Sequence, residues 1–358
     1  MKRLIFSLSI LCLSTTSVAQ QYQLETMADD LASPWCLAFL PDGEFLVTEL
    51  AGRLKRLSIA GEVEAVIKGV PDVYYAGQGG LFDVLLHPGF QDNGLVYLSY
   101  AAGTPKKNAT TIARARLVND TLQDLDVIYR VAPTKGTPVH YGGRMIFLPD
   151  GTLLLTTGDG FDYREAAQDI ESHLGKIIRI TDDGTPAKGN PFPKSPYVWS
   201  YGHRNAQGLA LSRSGTVYQH DHGPRGGDEV NIIRRGINYG WPAITYGVDY
   251  NGALISPFTE WKGMAQPEHY WTPSIAPSGL AIYEGAEFPQ WTGDLFVGAL
   301  LDREVRRLEL KDGRVVAEEA LFGELDARIR DVRTGPHDQL YILTDGTPGK
   351  LIRVRSSR

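Results

Sequence analysis

The chain predicts an all-β fold, a six-bladed β-propeller of four-stranded antiparallel blades, on three observations. A short strand–turn–strand unit recurs six times. Glycine (39 residues) and proline (21) are abundant, as many short strands and tight turns require. Helix signals are scarce, and no charge block, low-complexity tract or Ser/Gly linker divides the sequence. Units about 45 to 70 residues apart suit blades stacked radially around an axis, each too small to bury its faces alone.

In the first unit Leu37-Ala38-Phe39-Leu40 meets the turn Pro41-Asp42-Gly43 and continues as Phe45-Leu46-Val47-Thr48. The second runs from Phe82 through Leu86, turns at His87-Pro88 and resumes at Leu95-Val96-Tyr97-Leu98. The third pairs Arg144-Met145-Ile146-Phe147-Leu148 with Leu153-Leu154-Leu155-Thr156 across Pro149-Asp150-Gly151. Looser copies start at Leu209, Leu280 and Val332. Proline presets φ, while Gly and Asp tolerate the left-handed conformations of a tight hairpin. Residues 165–174 read as a short helix or turn on a long loop. An unclosed ring would expose strand edges, so residues 22–27 and 350–354 are expected to close it.

Residues 1–19 read as a secretory signal peptide. Met1-Lys2-Arg3 is basic, residues 4–13 are apolar but short for a bilayer span, and Ser17-Val18-Ala19 fits a cleavage site. Bulky Leu11 before Cys12 argues against lipid attachment, so no membrane anchor is expected and the mature chain is expected in a periplasm. Residues 20–358 then form a single propeller domain. Cys36, in the apolar stretch Trp35-Cys36-Leu37, becomes the only cysteine and is expected to be a buried, inert thiol. A net charge of −6 argues against nucleic acid or an anionic membrane as principal partner.

Polar clusters separate the repeats. Val139-His140-Tyr141 leads into the third unit, whose second strand runs out through Gly158-Asp159-Gly160. A hairpin brings the start of one strand and the end of the next to one edge, where His140 and Asp159 can meet. A carboxylate on one imidazole nitrogen fixes the tautomer and leaves the other as a base; a structural histidine beside a turn aspartate is the alternative. Arg204 and Asn205 offer fixed donors for anionic or carbonyl oxygens, or tie down a loop. In the run from His220 to Glu229, Gly223 and Pro224 can turn backbone carbonyls toward a hard cation. Glu229 and Asp249 add the oxygens calcium prefers. His220 and His222, on one strand face, are a weaker transition-metal pair. Arg328 and Arg330 alternate onto one side, as a solvated pair or as a clamp for carboxylates.

Five stretches in order, Gly77-Gln78-Gly79-Gly80-Leu81 and residues 140–159, 201–208, 222–231 and 328–332, resemble the soluble quinoprotein sugar dehydrogenases of the glucose/sorbosone dehydrogenase type. The resemblance covers nearly the whole mature chain and points to members that oxidise aldoses with pyrroloquinoline quinone (PQQ). It implies His140 as catalytic base, Asp159 as its orienting carboxylate and Gln78 at the sugar and quinone site. Arg204 and Asn205 would contact the quinone oxygens, Arg328 and Arg330 would bind PQQ, and Tyr250 would border it. The carbonyls of Gly223 and Pro224 would hold a calcium ion beneath PQQ; Glu229, the Tyr239 carbonyl and Asp249 would hold a second, structural calcium. The family's cofactor-binding lysine aligns with Leu301, which cannot replace a cation. Arg303, two residues on and on the same face of an extended segment, is expected to compensate. The implied reaction takes the C1 hydroxyl proton of an aldose onto His140 while hydride passes to the quinone, giving a lactone, with Arg204 stabilising negative charge. Electrons would leave to a separate acceptor. Two other readings of the scaffold stay open: a cofactor-free binding propeller, and a calcium-dependent lactonase with His140 activating water.

Overall fold

Six four-stranded antiparallel sheets follow one another along the chain in the computed structural model, which describes residues 22–357. The expected signal peptide lies outside the described residues. The first strands of the sheets are Pro34–Phe39, Leu81–Leu86, Gly142–Phe147, Ala206–Leu211, Pro277–Ile282 and Ile329–Thr334. Each contacts the first strand of the preceding and following sheet, and the sixth contacts the first, so the sheets form a closed ring. This is the six-bladed propeller that the repeats predict.

Burial falls from the axis outward. Second strands such as Phe45–Glu49, Leu153–Thr157, Leu295–Ala299 and Leu340–Thr344 are buried along their whole length. Their near-continuous apolar runs reflect packing on both faces, since every blade lies between two others. The outer strands Val63–Val66 and Arg314–Leu321 are largely exposed.

Ring closure uses both termini. Tyr22–Leu31 is the outermost strand of the sixth blade and runs antiparallel to Gly349–Ser356, with Tyr22 opposite Ser356 and Leu31 opposite Gly349. The pairing covers an edge that would otherwise be open.

All six first strands carry a register shift near their start, between Pro34 and Cys36, Leu81 and Val84, Gly142 and Met145, Ala206 and Gly208, Pro277 and Leu280, and Ile329 and Asp331. A bulge bends a strand and re-aims its side chains. Residues flanking these shifts, among them Trp35, His140, Asn205, Gln207 and Arg330, line one cavity.

Residues just inside the shifts meet as a buried ionic cluster. The Arg144 guanidinium lies 3.5 Å from Asp83 and 3.2 Å from Asp331, and its Nε donates to the Gln207 carbonyl at 3.1 Å. Arg333 donates to Asp331 at 2.9 Å. Cys36 donates its thiol to Asp83 at 2.7 Å, and burial raises its pKa well above the ordinary value, which suits an inert thiol. Residues 165–174 form no regular helix. A single 3-10 turn, Arg164–Ala167, appears there, and the carbonyls of Ala166, Ala167 and Leu174 accept from the Lys176 ammonium.

Candidate active site

Gly142 pairs with Thr157 across the third hairpin, so the residues just outside that pair come together at the mouth. His140 Nδ1 lies 2.6 Å from Asp159 Oδ1. The same carboxylate accepts from the Phe161 amide at 2.7 Å and from Trp241 Nε1 at 2.8 Å. An acceptor-only carboxylate requires Nδ1 to carry the proton, which leaves the Nε2 lone pair facing the cavity. Burial lowers the His140 pKa below its ordinary value, an effect partly offset by Asp159, so the imidazole is neutral at neutral pH. Its backbone is left-handed, at φ 52°, and its N–H donates to Gln78 Oε1 at 2.8 Å. Gly158 packs on the His140 carbonyl so closely that an added Cβ would collide with it.

Two adjoining cavities meet at this imidazole. One, about 270 Å³, is lined by His140, Asp159, Phe161, Arg204, Pro224, Trp241, Asp249 and Tyr250. The other, about 380 Å³, shares His140, Arg204 and Tyr250 and adds Gln78, Asn205, Gln207, His222, Arg328, Arg330 and Asp345. Arg328 and Arg330 donate to Asp345 from both sides, at 2.8 and 2.9 Å. Burial opposes ionisation of Asp345, but the two guanidiniums outweigh it and hold its pKa below the usual range. Arg330 also donates to Gln207 at 3.3 Å. Two arginines on one carboxylate, with Arg204 in the same lining, leave the cavity cationic. His222 Nε2 in its wall is buried without a hydrogen-bond partner. A planar polyanion with peripheral carbonyls, the chemistry of PQQ, fits this lining.

Arg204 binds backbone at one end of the larger cavity. It donates to the carbonyls of His222 at 3.1 Å and Gly223 at 2.7 Å, and to Tyr250 Oη at 3.3 Å. Backbone oxygens that converge on a guanidinium suit a hard cation as well, and Pro224 lines the adjoining cavity. Asn205 is fixed by Asp221, which accepts its amide, and its own Oδ1 accepts from Gly142 N at 3.1 Å.

Two expectations fail. Arg303 does not line either cavity; it is exposed and pairs with Asp326 at 3.0 Å. Its segment is a turn with Arg303 at φ 58°, so alternation does not apply and its side chain leaves the mouth. Leu301 is exposed as well, and Leu300 borders the cavity instead. Of the residues expected at a second calcium, Glu229 lies in the fourth blade opposite Tyr270, and Asp249 lines the smaller cavity. Burial raises Glu229 to about 8, and the charges acting on it are Asp221 and Asp228, whereas Asp249 pairs with Arg164 at 3.2 Å beside His140. Arg225 and Val248 form an isolated antiparallel bridge beside Asp249. The Tyr239 ring, as distinct from its carbonyl, stacks on His203 at 4.8 Å between centroids. His220 and His222 make no metal pair: their ring centroids are 6.4 Å apart, and His220 Nε2 meets the Ser278 carbonyl.

Sequence reasoning assigned no role to Trp241, Gln207 or Asp345. Aligning the repeats does not find Asp345, because Glu49 and Asp221 end their second strands whereas Asp345 lies one residue beyond Leu340–Thr344. Trp241 lies in a long irregular loop whose path no periodicity reveals.

The family model for glucose/sorbosone dehydrogenases matches residues 31–353. The chain is 39% identical over 363 residues to the aldose sugar dehydrogenase YliI of Escherichia coli K12, covering 98% of this chain and 97% of that one. It is similar to a crystal structure of a glucose dehydrogenase, with a TM-score of 0.91 and 43% identity over 94% of this chain and all of that one. It is also similar to the PQQ-bound form of an aldose sugar dehydrogenase from Streptomyces coelicolor, with a TM-score of 0.79 and 31% identity over 93% of this chain and 98% of the other.

Proposed function

The chain belongs to the glucose/sorbosone dehydrogenase family, and from that premise we propose that it is a quinoprotein that oxidises the C1 hydroxyl of an aldose to the lactone. One observation carries the reading: a neutral imidazole, its Nδ1 anchored on Asp159, presents Nε2 between a cavity of sugar size and a cationic cavity lined by Arg204, Arg328 and Arg330. The relatives named for aldose sugars and for PQQ support it. Arg328, Arg330, Asn205 and Gln207 would hold PQQ, and the carbonyls of Gly223 and Pro224 a calcium ion. When bound, PQQ supplies the acceptor for hydride from C1, and calcium polarises it.

The rest is the work of the chain. The sugar hydroxyl docks on His140 Nε2, which takes its proton as the C1–H bond breaks. Asp159, fixed by Trp241 and the Phe161 amide, keeps the ring oriented and stabilises the imidazolium. The Arg204 guanidinium faces the same space and stabilises developing negative charge. A separate acceptor then takes the electrons. Export to a periplasm completes the proposal, on the basic, apolar and small-residue order of residues 1–19.

The test is a PQQ titration of the purified protein with and without calcium, followed by dye reduction with several aldoses. Saturable quinone binding that a chelator weakens, with aldose-dependent dye reduction, is expected. Lactone hydrolysis without quinone would support the lactonase instead, and absence of both quinone binding and turnover would overturn the dehydrogenase and support a binding propeller.

A further inference from the structure

Lys135 is 1% exposed, and every oxygen its ammonium reaches is neutral. Nζ donates to the carbonyls of Thr137 and Val139, both at 2.7 Å, and to Asn108 Oδ1 at 3.3 Å, and it sits 3.4 Å from the centroid of the Tyr141 ring. Burying an ammonium without a counter-ion is costly, so a fold keeps one only where its geometry is needed. Burial pushes this lysine down to about 7, with Asp159 acting in the opposite sense.

The two carbonyls flank the last step before the base. The Val139 oxygen and the His140 N–H belong to a single peptide group. Lys135 holds the oxygen, and Gln78 Oε1 holds the N–H at 2.8 Å. Gln78 also donates its own amide to the Pro138 carbonyl at 2.8 Å. That peptide leads into a histidine at φ 52°, a region that a non-glycine residue occupies only when its surroundings over-determine it.

We infer that Lys135 is a positioning residue for His140: with Gln78 it clamps the Val139–His140 peptide plane from both ends and so fixes where the imidazole points. Lys176 provides the contrast. It is equally buried, its ammonium also meets only carbonyls, at Ala166, Ala167 and Leu174, and none of them adjoins His140. Burial of a lysine is therefore common to both, and the clamp belongs to Lys135 alone.

The kinetic arm rests on the proposed dehydrogenase reading; the spectroscopic arm does not. In Lys135→Met, kcat is expected to fall at least about tenfold, since small misplacements of a reacting group cost that much or more, while KM and the PQQ dissociation constant stay within about twofold. In cofactor-free protein the far-downfield Nδ1 proton of His140 should shift or broaden in Lys135→Met and keep its position in Lys176→Met. Lys135→Gln retains a donor, and its loss should be smaller; it carries the same test if the methionine variant does not fold. The inference is overturned if the lysine variants at 135 keep wild-type kcat and the wild-type proton signal, or if Lys176→Met loses that signal equally. Should wild-type protein oxidise no aldose, the dehydrogenase reading fails and the proton signal alone decides the clamp.

Discussion

The base role proposed for His140 rests on neighbours that fix both its charge and its tautomer. Burial lowers its pKa, and Asp159, saturated by Trp241 and the Phe161 amide, compels the proton onto Nδ1. In His140→Ala, turnover should drop by about 10²–10⁴-fold, the usual range for a general base, with PQQ titration little changed; single-turnover kinetics that keep a tenth of the wild-type rate would remove the assignment. The sign of the pH dependence follows from the lowered pKa. The neutral, proton-accepting form persists below the ordinary value of 6.5, so kcat/KM should hold from pH 8 down past 6.5 and fall only on the acid side. A pH–rate profile with its acid midpoint above 7 would contradict this. His140 and Asp159 were legible because one hairpin joins them. Trp241 was not, since it reaches Asp159 from a different blade through a loop with no pattern.

At the scale of single elements, alternation is the tool that both succeeded and failed. Arg328 and Arg330 share a side and converge on Asp345, although the bulge between Ile329 and Asp331 interrupts the ladder beside them. Arg303 had the same i and i+2 logic and fails it, because its segment is a turn with a left-handed residue rather than a strand. The sequence around it, Leu301-Asp302-Arg303-Glu304, carries no proline or glycine to announce that turn. Arg303→Ala should accordingly leave the PQQ dissociation constant within about twofold, since an exposed Arg–Asp pair contributes little beyond itself. Isothermal titration with PQQ is the check, and a tenfold loss would return Arg303 to the cofactor site.

For the whole molecule the ring was legible, since six copies of one unit and two terminal strands demand it, but the axial cluster was not. Cys36, Asp83, Arg144 and Asp331 occupy the same slot of four different repeats, each between apolar or cavity-lining neighbours, and only closure of the ring makes them one group. Arg144 is its hub. From the third blade it reaches Asp83 in the second, Asp331 in the sixth and the Gln207 carbonyl in the fourth, and its guanidinium lies 4.3 Å from the Trp35 ring of the first. Replacing a whole buried ionic group with apolar residues is often neutral, whereas deleting one partner strands the rest. Arg144→Met would leave Asp83 and Asp331 with Arg333 as their remaining cation. A loss of about 3–5 kcal/mol is expected, read from urea unfolding at neutral pH. The damage should also reach the mouth, because Arg144 fixes Gln207 through its carbonyl and Gln207 accepts from Arg330 in the cavity wall. PQQ affinity should therefore weaken in Arg144→Met even at temperatures where the protein stays folded. Full stability with unchanged quinone titration would mean that Arg333 alone holds the axis and that the blades pack independently of the cluster.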